Sequence, residues 1–219
     1  MQTVAVRIIR EEHTAIAAVL HSLEYVVHKL EEGAEPSFQL LSAMLEYIVE
    51  YPERCHHPKE DRYLFKMSRS RNPDSAPLID ELEAEHVRGG ELLKELQQAL
   101  AHYQSEGHAA LQDFAQTVAV YAEFHWQHMT KEEDVLIPVA KQSLTDSDWE
   151  KMAKRDVVDA FFRFSIHAKV LKLHEIVHRV DPMRSGRQDP TNLNFPSFTV
   201  GVLHQVSYDA CAIGRLAHG

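Results

Sequence analysis

The chain has 219 residues, 44% of them apolar, with 23 basic and 33 acidic side chains and a formal charge of -10. That apolar content fills one substantial core, and the negative charge argues against a nucleic-acid surface. No apolar run approaches the roughly 20 residues that span a bilayer, residues 1–10 lack a signal-peptide layout, and Cys55 and Cys211 form no CxxC pair, so a reducing, cytoplasmic location is expected.

Only 8 glycines interrupt long stretches of 3.6-residue apolar periodicity, which predicts helices throughout. The first, about 3–31, aligns His13 with Ile9, Ile16, Leu20, Leu23, Val27 and Leu30. The second, about 36–69, has Pro36 in its first turn and a seam of Leu41, Leu45, Ile48, Pro52, His56, Glu60 and Tyr63, with Pro52 and Pro58 expected to disturb it. After Asn72-Pro73-Asp74, a third helix over about 75–104 places His86 with Leu82, Leu93, Leu96 and Leu100. The fourth, about 108–142, has a seam of Phe114, Val118, Tyr121, His125, His128, Glu132, Val135 and Val139. A fifth begins near Asp146 or Asp148 and runs to about 180, followed by a linker at 181–196 and a tail read as a short helix. The order predicts an all-α fold: an up-down-up-down four-helix bundle over 1–144 with a helical C-terminal extension over 145–219.

Two segments repeat one another: His56-His57-Pro58-Lys59-Glu60-Asp61 and His128-Met129-Thr130-Lys131-Glu132-Glu133. Each sets His and Glu four apart, on one face of a helix, with Lys before the acid pair and an apolar run after it. The bare spacing occurs five times, against about two expected by chance, so the shared context carries the signal. His28 with Glu32 and His102 with Glu106 share the spacing near helix ends and read as solvated pairs. Together with His13 and His86, the repeats send at least one imidazole from each of four helices toward a common core. Buried Glu60 and Glu132 need compensation worth several kcal/mol per ion, and a cation held by His13, His56, His86 and His128 supplies it. Nitrogen and oxygen donors without a thiolate set suit iron, manganese or zinc, and open positions would remain for a small ligand. His57 and Asp61, one step off the seam, read as solvated or as supporting the ligands, and His125 is balanced between ligand, support and packing. Cys55 reads as a small buried thiol.

This arrangement resembles the hemerythrin-like (HHE cation-binding) family over roughly residues 7–142, and the phrase His56-His57-Pro58-Lys59-Glu60-Asp61 is especially close to it. The resemblance implies a four-helix bundle with two non-haem irons: His13 and His56 on one, His86 and His128 on the other, Glu60 and Glu132 bridging. Oxygen-carrying members have a second His one turn after the third-helix ligand, where this chain has Gly90, so His57 or His125 would have to complete the second iron. The expected role is binding or sensing dioxygen, nitric oxide, peroxide or iron, with a di-iron oxidase or peroxidase as the alternative.

A rival motif, His174-Glu175-Ile176-Val177-His178, matches the H-E-x-x-H pattern of zinc hydrolases. No Glu follows Glu175, and Asp181 and Arg184 stand where a Gly and a third His would be needed. The bundle site is therefore preferred. No partner-binding motif is visible.

Overall fold

The computed structural model describes residues 2–153, and every regular element among them is helical. The first helix is Gln2–Glu31. Gly33, at φ 94°, turns the chain where a side chain would be strained. The second helix occupies 38–71. It starts after Pro36 rather than around it, because the Ser37 hydroxyl accepts from the Leu40 N–H at 3.4 Å and caps the end. The third is Ala76–Glu106, and a 3₁₀ turn with Gly107 at φ 64° leads into the fourth, 111–143. These four helices form the bundle.

Two of the helices depart from a straight α-ladder. The second widens to π geometry over Val49–His56 and again over Glu60–Phe65, and the fourth over Glu132–Leu136. Pro52 sits in the first of these turns, where its carbonyl accepts from the His57 N–H five residues on. Each π turn adds one residue to a turn and so rotates the helix C-terminal to it. Beyond Glu60 the core side chains are therefore Leu64 and Phe65, not Tyr63, and beyond Glu132 they are Leu136 and Ala140, not Val135 and Val139. Val135 is 45% exposed, which corrects the seam expected from a regular 3.6-residue repeat.

The core divides into two apolar clusters with a polar layer between. One holds Ile16, Leu20, Tyr51, Leu93, Leu96, Val118 and Tyr121; the other holds Val6, Ile9, Leu64, Phe65, Leu82, Leu136 and Ile137. Between Ile9 and Ile16 lies His13; between Tyr51 and Leu64, His56 and Glu60; between Leu82 and Leu93, His86; between Tyr121 and Leu136, His128 and Glu132. Each helix thus crosses the same layer, in alternating directions between the clusters.

Residues 146–153 begin the fifth helix. Thr145 and Asp148 form a reciprocal cap: the Asp148 carboxylate accepts from the Thr145 hydroxyl at 2.6 Å and its N–H at 3.0 Å, while the Asp148 N–H donates to the Thr145 hydroxyl. Arg71 grips the same carboxylate through two nitrogens at 2.8 and 3.1 Å, and Trp149 is buried in the second cluster. The remainder of that predicted helix, the linker, the tail, Cys211 and the His174–His178 motif lie outside the described residues. Among the described residues no helix is long and apolar enough to cross a membrane.

Candidate metal centre

Glu60 and Glu132 are 2% and 0% exposed and face each other across the layer. Around them the inner nitrogens of four histidines converge. His13 Nε2 lies 3.7 Å from Glu60 and 3.2 Å from Glu132; His56 Nε2 is 3.3 Å from Glu60, and His128 Nε2 is 3.5 Å from Glu132. His86 Nε2 lies 3.8 Å from Glu60 and 3.9 Å from Glu132. Each carboxylate therefore reaches imidazoles from both ends of the site, the arrangement a bridge requires. Two sets, His13, His56, Glu60 and Glu132, and Glu60, His86, His128 and Glu132, each bring one ligand atom per residue within 4.8 Å of one another.

The outer nitrogens are all held by carboxylates. His13 Nδ1 donates to Glu133 at 2.9 Å, His56 Nδ1 to Glu12 at 2.9 Å, His86 Nδ1 to Asp61 at 2.8 Å and His128 Nδ1 to Glu85 at 2.9 Å. With the Nδ1 proton committed outward, the Nε2 lone pair points inward, and the carboxylate makes the ring a better electron donor. Lys59 in turn donates to Glu12, and Lys131 to Glu85. Burial pushes the Glu12 carboxyl up, but the His56 hydrogen bond and the His56 and Lys59 charges outweigh it and hold the group at about 2.

This wiring explains every polar position that the two segments share. Glu12-His13 on the first helix corresponds to Glu85-His86 on the third, 73 residues on, and His56, Lys59, Glu60 and Asp61 correspond to His128, Lys131, Glu132 and Glu133, 72 residues on. The roles match throughout: the Lys steadies the Glu that orients the His of its own segment, and the second acid crosses to orient the His on a helix of the other half. Sequence reasoning finds the ligand candidates but not Glu12, Glu85 or Glu133 as their supports. The Glu-His pair before each half is the available signal.

The chemistry of the donor set fits metal. None of the four oxygens of Glu60 and Glu132 makes a well-directed hydrogen bond, nor does His13 Nε2. Leaving two carboxylates this buried without partners costs several kcal/mol each, which cations between them would offset. Six nitrogen- and oxygen-donor side chains with no thiolate suit iron, manganese or zinc. The Cys55 thiol turns away, donating to the Glu50 carbonyl at 3.3 Å.

His57 is not solvated: it is 5% exposed, stacks on His86 with ring centroids 4.3 Å apart, and joins His86 and His128 in a third cluster of possible ligand atoms. Its burial comes from the π turns on either side, which swing it into the layer. Asp61 takes the supporting role expected for it. His125 is also buried, but its Nδ1 donates to the Tyr121 carbonyl at 3.0 Å and it joins no ligand cluster among the described residues. His28 and Glu32 pair in solvent, 65% and 50% exposed.

No curated protein and no solved structure matches the chain. The family model of the hemerythrin HHE cation-binding domain matches residues 4–140, more than half of the chain and all of the histidines and carboxylates that build the centre. A bundle that buries two facing glutamates within four anchored imidazoles, with that match along its length, belongs to the hemerythrin HHE cation-binding family.

Proposed function

We propose that the chain is a non-haem di-iron protein that binds or senses a small ligand such as dioxygen, nitric oxide or peroxide, or iron itself. His13 and His56 hold one iron, His86 and His128 hold the other with His57 beside them, and Glu60 and Glu132 span both. The observation that carries this reading is the set of four buried carboxylate oxygens without hydrogen bonds inside the ring of inward-facing Nε2 atoms. Bound iron would supply one-electron redox chemistry and exchangeable coordination positions. The protein does the rest. Glu12, Asp61, Glu85 and Glu133 fix the imidazole tautomers, the two apolar clusters keep bulk water from the layer, and the π turns set the approach of His57. The bundle over 1–144 is the metal domain, and the extension over 145–219 modulates it from its capped start at Thr145.

The test is to load the protein anaerobically with ferrous iron and follow the visible spectrum and oxygen consumption as air is admitted. A ferric absorption that develops once and then stops consuming oxygen supports binding or sensing. Sustained consumption of dioxygen or added peroxide replaces this reading with the oxidase or peroxidase one. A spectrum without iron features, with zinc bound in a manner dependent on His174, sinks both.

A further inference from the structure

Four carboxylates orient the imidazoles of the centre, and three of them are neutralised from outside. Lys59 pairs with Glu12, Lys131 pairs with Glu85, and Arg10 Nε lies 3.5 Å from Glu133. The fourth, Asp61, has 42% of its side chain exposed and holds His86 Nδ1 at 2.8 Å. Among the described residues no Lys or Arg pairs with it. The 73-residue offset that matches Glu12-His13 to Glu85-His86 puts Glu83 where the first helix has Arg10. An acid, paired with Arg69 at 2.8 Å, thus replaces the cation that guards the other half.

Glu53 adds a second unguarded charge on the same helix, eight residues before Asp61. With 18% of its side chain exposed it meets solvent without any opening of the bundle, and among the described residues no Lys or Arg pairs with it. Its Oε1 has no hydrogen-bond partner and lies 3.7 Å from His57 Nδ1. The His57 ring in turn stacks on His86 at 4.3 Å, and His86 Nε2 is 3.8 and 3.9 Å from Glu60 and Glu132. Oxygen and nitrogen donors therefore follow one another at short steps from the surface to the buried glutamates. A cation nearing the first position meets the Arg10 guanidinium; one nearing the second meets two uncompensated carboxylates. Fixed charge of one sign at a low-dielectric edge raises the local concentration and capture rate of the opposite ion.

We propose that this edge of the second helix is the inlet for divalent metal ions: Glu53 and Asp61 draw the ion in, and His57 and His86 take it over at the second metal position. This deepens the di-metal reading and rests on it. Glu53 is a steering residue in this account, not a ligand of the loaded centre. Its loss changes how fast metal arrives and leaves unchanged how much is finally held.

The test follows uptake of cobalt(II) by the full chain in a stopped-flow spectrometer, using the visible absorption that cobalt gains on coordination. It is run at pH 8, above the value of about 7 to which burial raises the Glu53 carboxyl. Glu53→Gln keeps the shape and removes the charge. Uptake should slow about tenfold and become less sensitive to added salt, with two cobalt ions bound at the end. Glu83→Arg, a surface change that restores a cation in the manner of Arg10, should slow uptake too. Glu32→Gln, which removes one charge beyond the end of the first helix, should leave the rate unchanged. Fewer than two cobalt ions in the wild type, or cobalt kept by Glu60→Ala/Glu132→Ala, removes the di-metal reading and the inlet with it. With two ions bound, wild-type uptake in Glu53→Gln or in Glu83→Arg overturns the inlet alone. So does equal slowing in Glu32→Gln.

Discussion

At the first metal position His13 and His56 are 3% and 1% exposed, and Glu12, which orients His56, is sealed at 1%. At the second, His86 is 8% exposed, Glu85, which orients His128, is 20% exposed, and His57 and His125 lie close by. Both halves use one wiring plan, which fixes the orientation of each pair of imidazoles. Where the halves diverge, the divergence adds polar atoms, and glycines at 89 and 90 let His125 and Glu53 pack close to the third helix. The first half is the more closed of the two and the second the more open.

The largest expected effect comes from Phe65→Ala. Phe65 is fully buried and lies flat on His86, centroids 5.2 Å apart, so its loss should cost about 3–5 kcal/mol in chemical denaturation. Metal titration of the variant should weaken the second position first; equal weakening of both would mean that the halves are not independent. Next, Glu12→Ala and Glu85→Ala should each lower metal affinity by roughly 10–100-fold, as loss of a ligand-orienting carboxylate does, with Glu12 the larger because its imidazole has no solvent to replace the bond. Competition with a chromogenic chelator ranks them, and the reverse order would undo the contrast between closed and open halves.

Glu53 gives a pH signature in the metal-free protein. Burial raises its carboxyl from 4.5 to about 7. The folded state therefore binds the proton more tightly than the unfolded chain, so its contribution to stability is complete below about 4.5 and is lost as pH rises through about 7. Glu53→Gln should flatten that fall by about 2 kcal/mol between those limits, allowing for partial exposure, as read from denaturation midpoints at several pH values. An unchanged slope would place the burial cost elsewhere. The smallest effect is at the start of the fifth helix: Thr145→Ala should cost about 1 kcal/mol and leave both metals bound.

The helices, their order and the six ligand candidates gathered in one buried layer are legible in the sequence because inward-facing polar side chains on helices obey the same periodicity as core residues. His13 interrupts an apolar stripe, and His56 with Glu60 repeats as His128 with Glu132. What escapes is anything that breaks the period. Pro52 hints at one distortion and Pro138, which cannot bond the Asp134 carbonyl, at the other, but neither gives the direction of the shift, so a regular repeat puts Val135 in the core. The same regular repeat turns His57 toward solvent. Glu12 and Glu85 leave only the recurring Glu-His pair as a sign of their role, because an acid beside a seam histidine reads as solvated until its tertiary partner is known.

The most direct measurement is the metal content of anaerobically purified protein, wild type beside Glu60→Ala/Glu132→Ala. Two irons per chain in the wild type, with neither retained in the double variant, is the predicted result. Equal metal in both proteins would contradict a centre built across these two glutamates.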